Sequence, residues 1–190
     1  MISVAMATYN GEEYIEKQIQ SILSQSKKID ELIICDDYST DRTVEIIEKM
    51  KNNKIFLSVN KTNIGYVRNF EKAISKTSGD YIFLADQDDI WEVNKVEEMI
   101  RIIQVGGYDL VCSNVELIDQ DESVIKDKGN FVISKYMDKH TASEVSKISF
   151  NRLLLGNVLQ GCTYCLTDRV KQVYLKVANK EVYHDWQLML

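Results

Sequence analysis

The sequence YIFLADQDDIW, residues 81–91, joins a short apolar run to a cluster of acidic side chains. The run from Ile82 to Ala85 has the length of a strand, and an uninterrupted apolar run is typical of a strand buried on both faces. Asp86, Asp88 and Asp89 follow it directly. Repulsion among these carboxylates costs free energy unless a cation offsets it. The stretch therefore predicts a buried strand whose carboxyl end holds a cation.

Strand and helix patterns alternate through the first 105 residues. Short apolar runs predict strands at 2–8, 31–37, 55–59 and 81–85. Apolar residues recur at helical spacing after each strand: Ile15, Ile19, Ile22 and Leu23; Val44, Ile47 and Met50; Phe70, Ala73 and Ile74; Val96, Met99, Ile100 and Ile103. Ser39 and Thr40 indicate the start of the second helix. Four strand–helix units predict an α/β fold with a Rossmann-like, mostly parallel sheet flanked by helices.

The residues after 105 have a less regular pattern. We expect a strand at 109–117, a hairpin turn at Asp119–Glu122 and a helix at 168–177. Residues 126–147 predict a loop with a short helix, and residues 151–167 carry apolar runs broken by Gly156 and Gly161. Since no repeat or linker separates the halves, the sequence predicts one domain over 1–190, with a smaller mixed or antiparallel portion in the second half.

Composition excludes several classes of protein. The net charge of −6 and the pI of about 5.0 argue against a nucleic-acid-binding protein, and no apolar run reaches the ~20 residues of a membrane span. The N-terminus lacks the features of a signal peptide, so we expect a cytoplasmic protein. Cys35 and Cys112 lie in strand-like runs and are expected in the core. Cys162 and Cys165 form a CxxC without the second pair that a structural zinc site usually needs.

Polar residues follow three of the predicted strands. They are Thr8, Tyr9, Asn10 and Glu12 after the first, Asp36, Asp37 and Ser39 after the second, and the three acids after the fourth. Helix capping explains Asn10, Ser39 or one acid per helix start, but not three acids in four residues. In parallel sheets the carboxyl ends of strands bind ligands, and Mg²⁺ or Mn²⁺ takes one or two carboxylates together with phosphate oxygens. The pattern predicts a metal that bridges the protein to a phosphorylated ligand.

Five motifs in order along the whole chain resemble glycosyltransferase family 2. This family comprises nucleotide-sugar enzymes with the GT-A fold, and the resemblance is to its rhamnosyltransferase-like bacterial branch. The motifs are VAMATYNGEEYIEKQIQSILSQS (4–26), IICDDYSTDRT (33–43), NIGYVRNFEKAI (63–74), FLADQDDIW (83–91) and YHDWQLML (183–190). The resemblance implies a nucleotide-binding half at 1–105 and an acceptor-side half at 106–190.

The resemblance also implies roles for individual residues. The residues implied to bind the nucleotide are Thr8, Tyr9, Asn10, Glu12, Asp37, Arg68 and Asp86. Asp37 is expected to hydrogen-bond the base, Asp86 to lie near the ribose, and Asp88 to bind the Mn²⁺ or Mg²⁺ that bridges the diphosphate. Gly161 is expected beside the donor sugar, and Asp185 matches the catalytic base of the family.

These roles agree with the chemistry of an inverting glycosyltransferase. A metal stabilises the departing nucleoside diphosphate, and a carboxylate takes the proton of the attacking hydroxyl. The resemblance predicts transfer from a UDP- or dTDP-sugar to a saccharide or lipid-linked acceptor in bacterial surface polysaccharide synthesis, with a lean toward dTDP-rhamnose. Family members usually continue beyond the base motif with helices that sometimes contact the membrane. The resemblance therefore predicts peripheral association with the inner face of the membrane in the full-length protein. The chain ends five residues after Asp185, so an incomplete acceptor side is expected.

Three alternatives are weighed against this interpretation. A nucleotidyltransferase typically has a Gly-rich, basic loop after its first strand, where this chain has TYNGEE. A phosphoacceptor receiver domain needs an Asp after its third strand, where this chain has SVNKTN. A non-catalytic nucleotide-sugar-binding domain stays open. His184 and Trp186 flank Asp185, and by composition alone they are ordinary surface or core residues.

Overall fold

The computed structural model describes residues 1–125, 145–148, 159–177 and 184–189, and within the last range the side chains of residues 185, 186 and 189 are not described. Its strands form one six-stranded sheet in the order β3-β2-β1-β4-β6-β5. The strands are β1 (Ile2–Thr8), β2 (Glu31–Asp36), β3 (Ile55–Val59), β4 (Tyr81–Ala85), β5 (Leu110–Cys112) and β6 (Tyr164–Thr167). The first four pair in parallel, and β6 runs antiparallel to both β4 and β5. The expectation of a mostly parallel sheet with an antiparallel portion in the second half is confirmed.

Helices cover both faces of this sheet. In the described residues they are α1 (Ile15–Leu23), α2 (Thr43–Lys49), α3 (Tyr66–Lys76), α4 (Lys95–Gly106), α5 (Asp168–Val177) and α6 (His184–Met189). Buried residues of α1, α2 and α4 join one apolar cluster, and those of α3, α5 and α6 join a second cluster. The two clusters lie on opposite faces of the sheet, which gives the three-layer arrangement that the alternating pattern predicts.

The strands are buried on both faces because successive side chains point in opposite directions. In β1, Val4 and Met6 belong to the cluster of α1 and α4, whereas Ala5 belongs to the cluster of α3. In β4, Phe83 faces the first cluster and Leu84 the second. Apolar residues on both sides of these strands satisfy both layers.

The strand order reverses beside β1. The chain moves outward from β1 through β2 to β3, and then returns through α3 to place β4 on the other side of β1. Because the connections after β1 and β4 leave in different directions, a crevice opens at the carboxyl ends of these two strands. This topology positions the polar residues that follow β1, β2 and β4.

Two sequence-based boundaries differ from the structure. The strand expected at 109–117 is limited to Leu110–Cys112, since the amide of Ser113 already bonds the carbonyl of Thr163, outside the regular ladder. Helix α2 begins at Thr43 and not at Ser39, because Ser39 is bound to Asp36 and the Asp41 carboxylate accepts the Thr43 amide instead.

The regions after β5 have mixed outcomes. The hairpin turn at Asp119–Glu122 is confirmed by the bridge between Ile118 and Val124. Strand β6 lies in the 151–167 stretch, where periodicity alone indicates no strand. The loop and helix expected at 126–147 lie outside the described residues except for residues 145–147, and residues 151–158 lie outside them as well.

None of the helices within the described residues is both long and apolar enough to cross a membrane.

Candidate active site

A cleft of about 940 Å³ opens at the carboxyl ends of β1, β2 and β4. Its walls come from these strand ends, from the start of α3, from the short 3₁₀ helix Gly161–Thr163 and from α6. The lining residues are Ala7, Thr8, Tyr9, Asp37, Asn63, Gly65, Tyr66, Asn69, Phe70, Asp86, Gln87, Asp88, Asp89, Gln160, Gly161, Cys162 and His184. The cleft therefore lies where the strand order reverses.

Asp36, the last residue of β2, is buried and joins two loops. Its Oδ2 accepts hydrogen bonds from Thr8 Oγ1, at 2.9 Å, and from Ser39 Oγ, at 2.5 Å. Its Oδ1 accepts the Ser39 amide at 2.9 Å. This carboxylate fixes the end of β1 against the loop after β2.

Asp37 lines the cleft and is only 2% exposed. Its Oδ1 accepts hydrogen bonds from Asn60 Nδ2 and the Ile64 amide, both at 2.8 Å, and its Oδ2 accepts the Gly65 amide at 2.9 Å. A carboxylate offers about four acceptor positions, so these three donors leave one for a ligand. The position and orientation of Asp37 are set by the 60–65 loop.

Two buried asparagines connect this loop to α3. Asn60 Nδ2 also donates to Asn69 Oδ1 at 3.0 Å, and Asn69 Nδ2 donates to the Cys35 carbonyl at 2.6 Å. Lys72 of α3 donates to Asn60 Oδ1. The network holds the start of α3 beside Asp37, and Gly65 at φ 85° provides the left-handed turn that precedes the helix.

The acidic loop after β4 brings Asp86, Asp89 and Cys162 together. Ligand atoms of these three residues lie within 4.8 Å of one another. Lys95 lies beside them, donates to the Cys162 carbonyl at 3.0 Å and stacks 4.4 Å above the Trp91 ring. Asp88 is exposed at the cleft. A fixed ammonium beside Asp86 and Asp89 offsets part of the acidic charge, whereas Asp88 faces the open cleft.

Burial changes the protonation of this cluster. It raises the pKa of Asp89 above its ordinary value, with a smaller contribution in the same direction from the neighbouring Asp88. Burial lowers the pKa of Lys95, while the nearby Cys162 and Asp89 partly oppose that change. Burial also raises the pKa of the Cys162 and Cys165 thiols, so both are protonated at neutral pH. All four cysteines are free.

A polar stripe on α1 and just beyond it supports the backbone of the acidic loop. Gln18 and Gln25 are completely buried and, with Ser21, lie on one side of the helix. Gln18 Nε2 donates to the Asp86 carbonyl at 2.9 Å, and Ser21 Oγ accepts the Trp91 amide at 3.0 Å. Gln25 bonds the Glu92 carbonyl at 2.8 Å and the Val96 amide at 3.0 Å. Residues 86–96 are thus held by side chains of one helix.

The structure brings most of the site residues expected from the sequence to the cleft. Those that line it are Thr8, Tyr9, Asp37, Asp86, Asp88 and Gly161. Asn10 and Glu12 are exposed beside it and bond to the loop after β2, through Thr40 and Arg42 respectively. Arg68 is exposed on α3 and is not among the lining residues. Asp185 lies in α6 next to His184, but its side chain is outside the described part of the structure.

Several residues of the site were missed by sequence reasoning. Gln87 and Cys162 line the cleft, and Lys95 lies behind it. The His184 ring stacks on Phe70 with centroids 4.3 Å apart and an interplanar angle of 21°, which joins α6 to α3. Gln18 of α1 and Gln25 just beyond it carried a partial signal, because polar residues at positions 18, 21 and 25 repeat at helical spacing, but this spacing does not indicate which residues they bond.

Comparison with known proteins identifies the family of this chain. The family model for Glycosyl transferase family 2 matches residues 3–168. The chain belongs to this family. The resemblance inferred from the five motifs is therefore confirmed, and so is the expectation of a glycosyltransferase at the level of the family.

Curated relatives extend across nearly the whole chain. A UDP-Glc:α-D-GlcNAc-diphosphoundecaprenol β-1,3-glucosyltransferase of Escherichia coli, WfgD, is 30% identical over 100% of this chain and 70% of its own length. The dTDP-rhamnosyl transferase RfbG of Shigella flexneri is 29% identical over 95% of this chain and 68% of its own length. Relatives of the chain thus include proteins named for UDP- and dTDP-linked donors and for bacterial saccharides.

Solved structures confirm the fold. The 1–349 portion of S. aureus TarS in complex with UDP superposes with a TM-score of 0.73 at 22% sequence identity. The match covers 99% of this chain and 53% of the TarS chain, so this chain spans about half the length of that solved structure. The GT-A architecture is shared over the whole of this chain.

Proposed function

We propose that the protein is a metal-dependent inverting glycosyltransferase that moves a sugar from a UDP- or dTDP-sugar to a saccharide or lipid-linked acceptor. The observation that carries this proposal is a single cleft that is lined both by the buried Asp37 and by Asp86 and Asp88. A nucleoside diphosphate has a base, which can hydrogen-bond a fixed carboxylate, and a charged diphosphate, which can share a divalent cation with acidic side chains. The relatives named for UDP and dTDP donors support this choice of ligand.

The residues at the acidic loop fit a divalent cation. Asp89 lies beside Cys162 and Lys95, and the Lys95 ammonium repels a second cation at that position. Asp88 is exposed in the cleft, with Asp86 two residues before it, so Asp88 would bind Mn²⁺ or Mg²⁺ and Asp86 would lie toward the ribose. When bound, the ion supplies Lewis-acid stabilisation of a departing diphosphate.

Side chains of the protein would bind the nucleotide and transfer the proton. Asp37, held by its three hydrogen bonds, would accept a hydrogen bond from the pyrimidine ring. Thr8 and Tyr9, with Asn10, Glu12 and Arg68 around them, would complete the nucleotide pocket, and Gly161 would border the sugar. Asp185 would take the proton of the acceptor hydroxyl as it attacks the anomeric carbon, and attack from the face opposite the leaving group inverts that carbon.

The proposed setting is bacterial surface polysaccharide synthesis. The glucosyltransferase relative is named for an acceptor carried on diphosphoundecaprenol, a lipid. A lipid-linked acceptor would be reached from the cytoplasmic face of the membrane by peripheral association.

Calorimetric titration with UDP and dTDP, with and without Mn²⁺, tests this proposal. We expect tighter binding with Mn²⁺, and we expect Asp88→Asn to remove that increase while leaving metal-free affinity unchanged. The matched control is Asp121→Asn, an exposed acid of the 118–124 hairpin that does not line the cleft. Equal Mn²⁺ dependence in Asp88→Asn and the native protein would remove Asp88 from the metal site.

A further inference from the structure

The side chain of Gln87 is bound to the backbone of Tyr9 by two hydrogen bonds. The Tyr9 amide donates to Gln87 Oε1 at 2.9 Å, and Gln87 Nε2 donates to the Tyr9 carbonyl at 3.1 Å. The side-chain amide of Gln87 therefore donates one hydrogen bond to Tyr9 and accepts one from it, and Tyr9 lies in a different loop. This pairing joins the loop after β4 to the loop after β1 at the point where the strand order reverses.

Gly11 gives a second, independent sign that this contact is built into the site. A Cβ at Gly11 would lie 2.4 Å from Gln87 Oε1 and 2.5 Å from its Cδ. The φ of Gly11 is outside the left-handed region, so its backbone conformation does not require glycine. Glycine at this position leaves room for the Gln87 amide as it stands.

The loop that Gln87 holds is bound on its other side to the loop after β2. The Asn10 amide donates to Ser39 Oγ at 2.9 Å, and Asn10 Oδ1 accepts the Thr40 amide at 2.8 Å. Ser39 is in turn bound to Asp36, which precedes Asp37. Hydrogen bonds thus run continuously from the acidic loop, through Tyr9 and Asn10, to the strand end that carries Asp37.

We propose that Gln87 is a positioning residue that couples the metal-binding end of the cleft to its pyrimidine-binding end. The Tyr9 side chain is 48% exposed and lines the cleft, so its placement depends on how its backbone is held. Gln87 lies between Asp86 and Asp88, and ordering of the acidic loop by a bound metal diphosphate is passed to Tyr9 through the paired amide. Two sites coupled in this way change each other's affinity by the same factor. This inference rests on the proposed function.

Replacing Gln87 with Met tests the coupling, because Met nearly preserves the shape and removes both hydrogen bonds. We expect the affinity for whichever of UDP and dTDP binds more tightly, measured with Mn²⁺ by calorimetry, to fall about tenfold, which is within the usual range of coupling between two sites. Affinity for ADP with Mn²⁺ should stay within about twofold, so the preference for the pyrimidine shrinks. Gln20→Met is the matched control, since Gln20 is exposed on α1 and bonds only to Glu16 among the described contacts.

Gly11→Ala tests the same contact from the opposite side. Its added methyl group should displace the Gln87 amide and reproduce the loss of pyrimidine preference. In a Gln87→Ser background the space is free, so Gly11→Ala should change the pyrimidine affinity by less than about twofold. Such non-additivity identifies the Gln87–Gly11 contact and is not expected of two unrelated structural defects.

Amide hydrogen exchange gives a readout that needs no ligand. The Tyr9 amide should exchange faster in Gln87→Met than in the native protein, while amides of β1 and β4 keep their protection. Unchanged pyrimidine preference in Gln87→Met, or additive effects of the Gly11 and Gln87 substitutions, would overturn the inference. If the native protein binds neither UDP nor dTDP, the proposed function fails as well, whereas native selectivity that persists in Gln87→Met removes only the coupling.

Discussion

Neighbouring aspartates at the end of β2 have different partners. Asp36 accepts hydrogen bonds from Thr8 and Ser39 and joins the loops after β1 and β2. Asp37 accepts from Asn60 and from two amides of the 60–65 loop. Asp36 ends β2 and Asp37 begins the loop that follows, and the carboxylate of Asp36 is bound between two loops while Asp37 lines the cleft. We therefore expect Asp37 to bind the ligand, whereas Asp36 supports the two loops.

At the scale of single residues, Asp185 is the expected catalytic base. Asp185→Asn keeps nearly the same shape but cannot accept a proton. We expect donor affinity to stay within a few-fold and sugar transfer to fall by about 10²–10⁴, the usual contribution of a positioned acid or base. Donor titration and an acceptor assay, with Asp121→Asn as control, measure the two quantities. If transfer survives in a protein that has a complete acceptor side, the base is another residue.

Helix α1 shows how one element serves both the core and the site. Ile15, Ile19 and Ile22 pack in the first apolar cluster, and their spacing predicts the helix. Gln18 of the same helix is equally buried, and Gln25 just beyond its end is as well, but their side chains bond the backbone of the acidic loop. Buried polar groups need such partners, because an unpaired one costs about 1–3 kcal/mol. The loop is held in place by this helix.

At the scale of the element, Gln25→Leu should destabilise the protein. It leaves the Val96 amide and the Glu92 carbonyl without their partner, at about 1–3 kcal/mol for each group that stays buried. Since about 1 kcal/mol shifts Tm by roughly 2–4 °C in a chain of this size, a clear fall in Tm is expected. Gln20→Leu, on the exposed face of α1, should change Tm little. Equal Tm values for the two variants would show that the hydrogen bonds of Gln25 do not stabilise the protein.

At the scale of the whole molecule, the cleft depends on loops that are far apart in sequence. Its walls come from residues 7–9, 37, 63, 65, 66, 69, 70, 86–89, 160–162 and 184. Helices α3 and α6 lie on one face of the sheet, and α1, which holds the acidic loop, lies on the other. A ligand in this cleft would therefore contact parts of the chain that pack on both faces. Binding is therefore expected to stabilise the molecule as a whole.

Thermal unfolding measures this global effect. At one hundred times Kd, UDP or dTDP with Mn²⁺ should stabilise the protein by about 2.7 kcal/mol. That free energy corresponds to a rise in Tm of roughly 5–10 °C. ADP and GDP should raise Tm much less, because Asp37 and the 60–65 loop are expected to fit a pyrimidine edge. Equal shifts with all four nucleotides would show that the cleft does not read the base.

The sequence by itself determined the layers of the sheet and the edge where the site lies. Continuous apolar runs and helical spacing specify parallel strands between two helix layers, because both patterns depend on neighbours in the chain. Acids after YIFLA and polar residues after the first two strands placed the cleft at the carboxyl ends. The five motifs then indicated the family.

Only the tertiary structure decided which polar side chains meet. Gln87 pairs with Tyr9 across 78 positions, and Lys95 reaches the Cys162 carbonyl across 67. Strand β6 forms beside β4 because an edge and an apolar face are available there, and its own short sequence has no distinct periodicity. Contacts of this kind depend on strand order and on the packing of distant loops. Local propensity contains no information about them, and so the support of the acidic loop was visible only in the folded molecule.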